Sequence, residues 1–209
     1  HIRLGSMKPG MLEKTFDSAK DEVGSYLFEL PNQIRMSING KIDRVDLCKD
    51  KDKVYVKVLD YKTGSKAFDV VALYHGLQLQ LMVYMDAAVK MTQKHYPDSE
   101  VIPAGVFYYR LNDPLVEKKV VGEEEEIWQK VLKELKVDGV MNLKDETLEH
   151  LDHCQAGESA VIPVKYNKNG SLSKNSKVYK KSRKELILLK EFFSHPHKVS
   201  SVFFEDFKQ

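Results

Sequence analysis

The stretch VLDYKTG, residues 58–64, ends an apolar run with charged side chains. Alternate side chains of a strand share a face, so the face of the preceding valines at 54, 56 and 58 also carries Asp60 and Lys62. Burial of a carboxylate and an ammonium is costly unless they are paired. Two interpretations are open: a solvated strand end with an ion pair that closes in a turn at residues 63–64, or a site with its own chemistry.

Composition limits the classes of protein to which the chain can belong. Its 209 residues are 42% hydrophobic and 31% charged, which predicts one globular domain, and a net charge of +2 does not by itself indicate nucleic-acid binding. Two distant cysteines predict neither a disulfide framework nor a zinc site and favour a reduced, cytoplasmic setting. No apolar run is long enough to span a bilayer, so we expect no membrane partner. We interpret residues 1–6 as a cloning remnant, with native sequence from about Met7.

The order of predicted elements favours an α/β fold. Weak helical spacing marks residues 11–24, and a strand at 34–38 continues into GKIDRVDL or pairs with it across Asn39 and Gly40. A polar turn at 48–53 then leads into an antiparallel strand at 54–61. A helix over about 70–94 and a strand at 101–111 follow, and such a crossover predicts a parallel pair of strands.

The C-terminal half is expected to extend this core, so that residues 7–209 form one domain with its core at about 33–111 and an extension at 112–209. We predict helices at 123–137 and 144–152, a strand at 160–166 and a helix from Ser182 to about Phe193. Residues 165–184 contain eight Lys or Arg and no Asp or Glu. This basic stretch is interpreted either as a DNA-binding surface or as a solvated loop.

A second carboxylate lies upstream, in GKIDRVD. Asp43 precedes Asp60 by 17 positions, with a polar turn between two strands, so a hairpin would bring both carboxylates to one end of the sheet. Hard cations such as Mg²⁺ prefer oxygen ligands and retain several waters, so two carboxylates and a substrate phosphate are a sufficient set. Lys62 beside them would orient or deprotonate a water, or neutralise charge on the phosphorus.

The predicted helix contributes two polar residues to the same argument. Gln80 and Tyr84 fall on an apolar helical stripe that we expect to face the core. A buried glutamine needs hydrogen bonds. The pair is therefore either satisfied within the core or part of the site.

The motifs GKIDRVD, VLDYKTG and QLMVY, in this order, resemble those of AddB-type (RecB-like) nuclease domains of the PD-(D/E)XK superfamily, and IPAGVFYYRLNDPLV is similar to the stretch that follows them. The resemblance covers about residues 22–180. It implies a restriction-endonuclease-like core, a mixed sheet flanked by helices, and Mg²⁺-dependent cleavage of DNA in double-strand break repair and recombination. The implied partners are DNA and an AddA-type helicase-nuclease subunit.

The resemblance implies a role for each residue that matches a position of the family motifs. Asp43 and Asp60 match the metal carboxylates, Lys62 matches the catalytic lysine, and Gln80 and Tyr84 match the helix motif. Two family features lack a counterpart: an earlier helix with a His or Glu near the metal, and the cysteines of an iron-sulfur cluster, whose ligands we do not find in this chain. The chain is therefore interpreted as a fragment of a longer subunit.

Other patterns give competing interpretations. KTG also occurs in penicillin-recognising serine enzymes, but no S-x-x-K motif precedes it here. HLDHC at 150–154 gathers metal-ligand residue types, with His150 and Cys154 spaced for one helix face, and is interpreted as a structural helix end. The main alternative function is a catalytically inactive nuclease fold for DNA binding or complex assembly.

Overall fold

The computed structural model describes residues 5–16, 27–30, 34–37, 39–64, 67–69, 72–73, 78, 80–111, 136–174 and 176. Its elements are β1 Lys8–Phe16, β2 Leu27–Leu30, β3 Ile34–Ser37, β4 Gly40–Asp50, β5 Lys53–Lys62, α1 Gln80–His95, β6 Glu100–Arg110, β7 Asp138–Met141, α2 Asp145–Leu151, β8 Gly157–Glu158 and β9 Lys165–Tyr166.

A mixed five-stranded sheet organises these elements in the order β1-β4-β5-β6-β7. β5 and β6 are parallel, and the other neighbours in the sheet are antiparallel. Two small two-stranded sheets join β2 to β3 and β8 to β9. This architecture confirms the predicted α/β class with a restriction-endonuclease-like mixed sheet.

The hairpin of β4 and β5 carries the polar turn that the sequence predicted. Asp50 pairs with Lys53, so the loop consists of the two intervening residues, and Lys51 adopts a positive φ of 53° there. The antiparallel ladder runs from this turn to the pair of Arg44 and Leu59. The predicted hairpin is therefore confirmed.

The crossover from β5 to β6 is also as predicted. α1 lies between the two parallel strands in sequence and packs against both of them. Its described part begins at Gln80, and residues 72–73 are also helical, whereas residue 78 lies in a turn; residues 70–71, 74–77 and 79 of the predicted helix lie outside the described residues.

Two apolar clusters lie on the two faces of the sheet. Val56 and Val58 of β5 pack in the cluster that contains the buried residues of α1. Tyr55 and Leu59 pack in the other cluster, with buried residues of α2 and the segment that follows it. The predicted alternation of β5 is therefore confirmed, and the valine face is the face of α1.

Two predictions for the N-terminal region are wrong. The described part of the segment predicted to be helical over residues 11–24 belongs to strand β1, which ends at Phe16, because long-range pairing with β4 outweighs its weak helical periodicity; residues 17–24 lie outside the described residues. Of the two alternatives for the strand at 34–38, continuation into GKIDRVDL is not seen, because β3 ends at Ser37 and β4 begins at Gly40. Pairing with β4 across Asn39 and Gly40 is also wrong, because β3 pairs with β2 and β1 occupies that edge of β4.

The C-terminal predictions have mixed outcomes. The helix at 144–152 is confirmed as α2, whereas the strand at 160–166 is reduced to Lys165–Tyr166, because residues 160–163 bend and Pro163 has no amide to donate. The helix predicted at 123–137 lies outside the described residues except for 136–137, which precede β7. Residues 177–193 also lie outside them. Among the described residues, no helix has both the length and the apolar character to cross a bilayer.

Gly139 lies where β7 approaches β6 closely, and a substitution at this position tests that packing. A Cβ at this position would meet the carbonyl oxygen of Val106 and the backbone of Phe107, neither of which has a flexible end that can yield. We expect Gly139→Ala to lower the free energy of unfolding by about 1–3 kcal/mol in urea denaturation. At Gly64 an added Cβ meets no described atom within 4 Å. Gly64→Ala is the control, and equal effects of the two substitutions would contradict the packing described.

Candidate functional site

An ion pair at the end of β5 is the centre of the candidate site. The Asp60 side chain is buried, with the residue 3% exposed, and its Oδ2 lies 2.6 Å from Nζ of Lys62. The Lys62 side chain is 23% exposed, so the ammonium lies at the border between the core and solvent. A buried carboxylate requires such a partner. The two residues that the sequence placed on one face therefore contact each other.

Asp43 reaches the same end of the sheet from β4. The ladder of β4 and β5 ends at Arg44 and Leu59, and Asp43 and Asp60 are the next residues on the two strands. Oδ2 of Asp43 accepts a hydrogen bond of 2.8 Å from the backbone N–H of Tyr61, the residue after Asp60. The hairpin thus brings two carboxyl side chains to neighbouring positions.

Gln80 and Tyr84 connect α1 to this ion pair. Nζ of Lys62 donates to Oε1 of Gln80 over 3.4 Å, and Nε2 of Gln80 donates to the hydroxyl of Tyr84 over 2.9 Å. The Tyr84 ring is buried and packs edge-on against Phe16, with centroids 5.9 Å apart. The expectation that Gln80 faces the core is wrong: Gln80 is exposed, and its side-chain amide contacts the partly exposed ammonium of Lys62.

Tyr108 of β6 is a neighbour of the ion pair that the sequence analysis missed. In the parallel register it lies beside Asp60, and its ring centroid lies 5.2 Å from Nζ of Lys62. Burial raises the pKa of Tyr108, and the charges of Asp60 and Asp138 raise it further, so the phenol stays neutral. Alternation along β6 would have placed Tyr108 on the α1 face with Val106.

Asp46 shows how the opposite face of the hairpin compensates a buried charge. Its carboxylate is fully buried, receives two hydrogen bonds from Arg44 of 2.6 and 3.1 Å, and lies 2.8 Å from Nζ of Lys57. Two cations around one carboxylate explain why it tolerates burial. We assign this group a structural role.

The HLDHC segment forms a structural helix end, as interpreted. The His150 ring packs on the ring of Tyr55, with centroids 4.4 Å apart. Its Nδ1 lies 3.6 Å from Sγ of Cys48, and its Nε2 lies 3.6 Å from Oδ2 of Asp50. Burial raises the pKa of Cys48. Cys154 lies beyond the end of α2 and therefore does not share a helix face with His150. Within the described ranges, no three His, Cys, Asp or Glu side chains converge as metal ligands.

The sequence motifs D, D-x-K and Q-x-x-x-Y lie in this order on β4, β5 and α1. Residues 5–164 match the family model of the PD-(D/E)XK nuclease superfamily. The chain belongs to the PD-(D/E)XK nuclease superfamily. The matched residues include both strands of the hairpin and the whole described part of α1.

Relatives within this nuclease superfamily are much longer than the chain. It is 39% identical over 200 residues to the B subunit of the ATP-dependent helicase/deoxyribonuclease of Lachnoclostridium phytofermentans, covering 91% of this chain and 16% of that protein. The proteins of the same name from Clostridium perfringens and Thermoanaerobacter sp. are 37% and 34% identical, over 84% and 76% of this chain and 15% and 14% of their own lengths. The chain therefore spans about a sixth of these relatives.

The Gln80–Tyr84 hydrogen bond has a measurable contribution to stability. We expect Tyr84→Phe to lower the free energy of unfolding by roughly 0.5–1.5 kcal/mol, because it removes the hydroxyl but keeps the ring against Phe16. Tyr84→Ala, which also removes the ring, should lower it by about 3–5 kcal/mol. Urea denaturation measures both variants. Equal losses would show that the hydroxyl, and not the ring, carries the contribution of Tyr84.

Proposed function

We propose that this chain is the nuclease domain of a longer helicase-nuclease subunit and that it hydrolyses DNA phosphodiester bonds with Mg²⁺, as an exonuclease in double-strand break repair and recombination. The observation that carries the proposal is the ion pair of Asp60 and Lys62, with the Asp43 carboxylate beside it and Gln80 on the ammonium. Membership of the nuclease superfamily and the names of the relatives support the same conclusion.

The residues present fit a divalent cation. Asp43 and Asp60 offer carboxylate oxygens from adjacent strands, and Mg²⁺ prefers oxygen ligands while retaining several waters, so two protein carboxylates are a sufficient donor set. When bound, Mg²⁺ would lower the pKa of a water and offset the charge of the substrate phosphate. Asp43 and Asp60 are the residues that we propose hold it.

Lys62 has a separate role in this proposal. The ammonium lies at the solvent border of the site, where it can reach a phosphate oxygen and stabilise the negative charge that develops as the phosphodiester bond breaks. Gln80 accepts a hydrogen bond from the ammonium, and Tyr84 holds the amide of Gln80. These contacts fix the direction in which Lys62 reaches, which makes Gln80 and Tyr84 part of the proposed catalytic set.

The partner follows from the relatives. Their names designate the B component of an ATP-dependent helicase/deoxyribonuclease, and this chain spans about a sixth of their length. We therefore propose that the chain works inside a complex with an AddA-type helicase-nuclease subunit and acts on DNA that the complex unwinds.

Replacing Lys62 tests the proposed chemistry. In the full-length subunit in complex with its partner, we expect Lys62→Ala to lower the rate of DNA cleavage by about 100-fold or more, because a positioned charge-stabilising group is lost. DNA affinity and DNA unwinding should change little. Lys53→Ala, at the other end of β5, is the matched control and should cleave at the normal rate. Normal cleavage by Lys62→Ala would contradict the proposed site.

Asp60→Ala separates catalysis from a binding or assembly role. The nuclease proposal expects loss of cleavage and weaker Mg²⁺ binding in calorimetry of the same complex, because a metal ligand is removed. Raising Mg²⁺ should restore part of the cleavage in Asp60→Ala but none in Lys62→Ala. A wild-type complex that binds DNA but never cleaves it would favour the inactive-module alternative.

The basic stretch at 165–184 is proposed to bind the phosphate backbone. Its described lysines at 165, 168 and 174 are all exposed. Each phosphate contact that is lost should reduce the slope of log affinity against log salt by about 0.7–0.9, because fewer counterions are released. We expect the triple change Lys165→Glu, Lys168→Glu and Lys174→Glu to weaken DNA binding and flatten this slope, with cleavage at saturating DNA unchanged.

A matched variant controls for net charge in the salt experiment. It reverses three exposed lysines outside the stretch, Lys14, Lys51 and Lys94. An equal flattening by both triple variants would assign the effect to total charge and contradict a local DNA contact. An unchanged slope in the first variant would identify the described part of the stretch as a solvated loop.

A further inference from the structure

The aromatic ring of Tyr108 contacts the Lys62 ammonium. The residue is 1% exposed, and its ring centroid lies 5.2 Å from Nζ of Lys62. A lysine ammonium within about 6 Å of a tyrosine ring is attracted by the negative face of the π-system, more strongly when water is excluded. The ammonium therefore has a carboxylate, Asp60, and an aromatic ring as neighbours.

The ring itself is held by the surrounding structure. Phe68 packs against it at a tilt, with centroids 6.2 Å apart, and the backbone N–H of Phe68 donates to Oδ2 of Asp138 over 2.7 Å. Asp138 in turn pairs with Tyr108 across β6 and β7. Tyr108 is thus enclosed by a strand neighbour and by the segment that follows β5, which leaves its ring little freedom to turn.

The hydroxyl of Tyr108 does not explain its position. Among the described residues it has no hydrogen-bond partner, although it is buried. A tyrosine that buries an unsatisfied hydroxyl incurs a free-energy penalty that phenylalanine would avoid. The contact that Tyr108 makes with Lys62 is made by the ring.

We propose that Tyr108 is a positioning residue for the proposed nuclease reaction, which holds the Lys62 ammonium beside Asp60 through the face of its ring. Lys62 has a flexible four-carbon stem, and an unsupported ammonium samples many directions. The ring and the amide of Gln80 restrict the directions that the ammonium can take beside Asp60. This inference rests on the proposed function, because it assigns Tyr108 a role through Lys62.

The first test compares turnover in the full-length subunit with its partner. We expect Tyr108→Leu to lower kcat about 10-fold with little change in KM for DNA, because binding is kept and the placement of Lys62 is lost. Tyr108→Phe keeps the ring and should restore kcat to near the wild-type value. Tyr109→Leu, the next residue on the same strand but on the opposite face, is the matched control and should cleave normally.

A series of fluorinated phenylalanines at position 108 covers the case in which Tyr108→Leu fails to fold. Fluorine weakens the negative face of the ring with little change in shape, so kcat should fall as fluorination increases. A constant kcat across this series would overturn the electrostatic part of the proposal. Failure of Tyr108→Phe to restore kcat would overturn it as well, by assigning the effect to the hydroxyl.

A direct readout of the contact does not depend on cleavage. With ¹³C-labelled lysine ε-carbons, the resonance of Lys62, identified by its absence in Lys62→Arg, should be shifted upfield by the ring current in the wild type and in Tyr108→Phe. Tyr108→Leu should abolish the shift. A shift that persists in Tyr108→Leu, or one that vanishes without any fall in kcat, overturns the inference. A wild-type complex that shows the shift but does not cleave DNA refutes the proposed function instead, and with it the catalytic consequence of the contact.

Discussion

The parallel pairing of β5 and β6 is the constraint on which the site depends. Two parallel neighbours cannot be joined by a tight turn, so the chain must cross one face of the sheet, and here α1 makes that crossing. The crossed face is the one that carries Asp60 and Lys62 at the end of β5. The topology therefore brings Gln80 of α1 and Tyr108 of the neighbouring strand β6 into contact with Lys62.

Each face of the hairpin buries one carboxylate, and the two carboxylates have different neighbours. Asp46 is enclosed by Arg44 and Lys57 and has no exposed surface, an arrangement that serves packing. Asp60 pairs with a lysine that remains partly exposed, at the open end of the strand. The cations beside the two carboxylates are similarly exposed, at 19% and 16% for Arg44 and Lys57 and 23% for Lys62. What distinguishes Asp60 is its place at the end of β5, next to Asp43 on the neighbouring strand. Burial alone would not have distinguished the two carboxylates.

Short sequence patterns correctly predicted the parts of the fold that depend on residues close together in the chain. Alternation along β5, the short turn before it and the order of strand, helix and strand were readable because each depends on residues close in sequence. The strand nature of β1 and the pairing of β3 were not, because they depend on which distant edge each strand meets. Helical spacing correctly placed Gln80 near Tyr84, although it wrongly placed Gln80 in the core. Tyr108 required the register between β5 and β6, which no short motif reveals.

The short loop at Lys51 also has a consequence for the order of folding. Asp43 and Asp60 lie on two strands joined by two residues, so the entropy cost of closing that hairpin is small and it can form early. The ring of Tyr108 meets Lys62 only after the whole crossover has docked as a parallel strand, a contact of much longer range. A chain that has folded only as far as the hairpin has Asp43 and Asp60 on neighbouring strands but not the ring beside Lys62, so the complete arrangement of these side chains requires β6 to have docked.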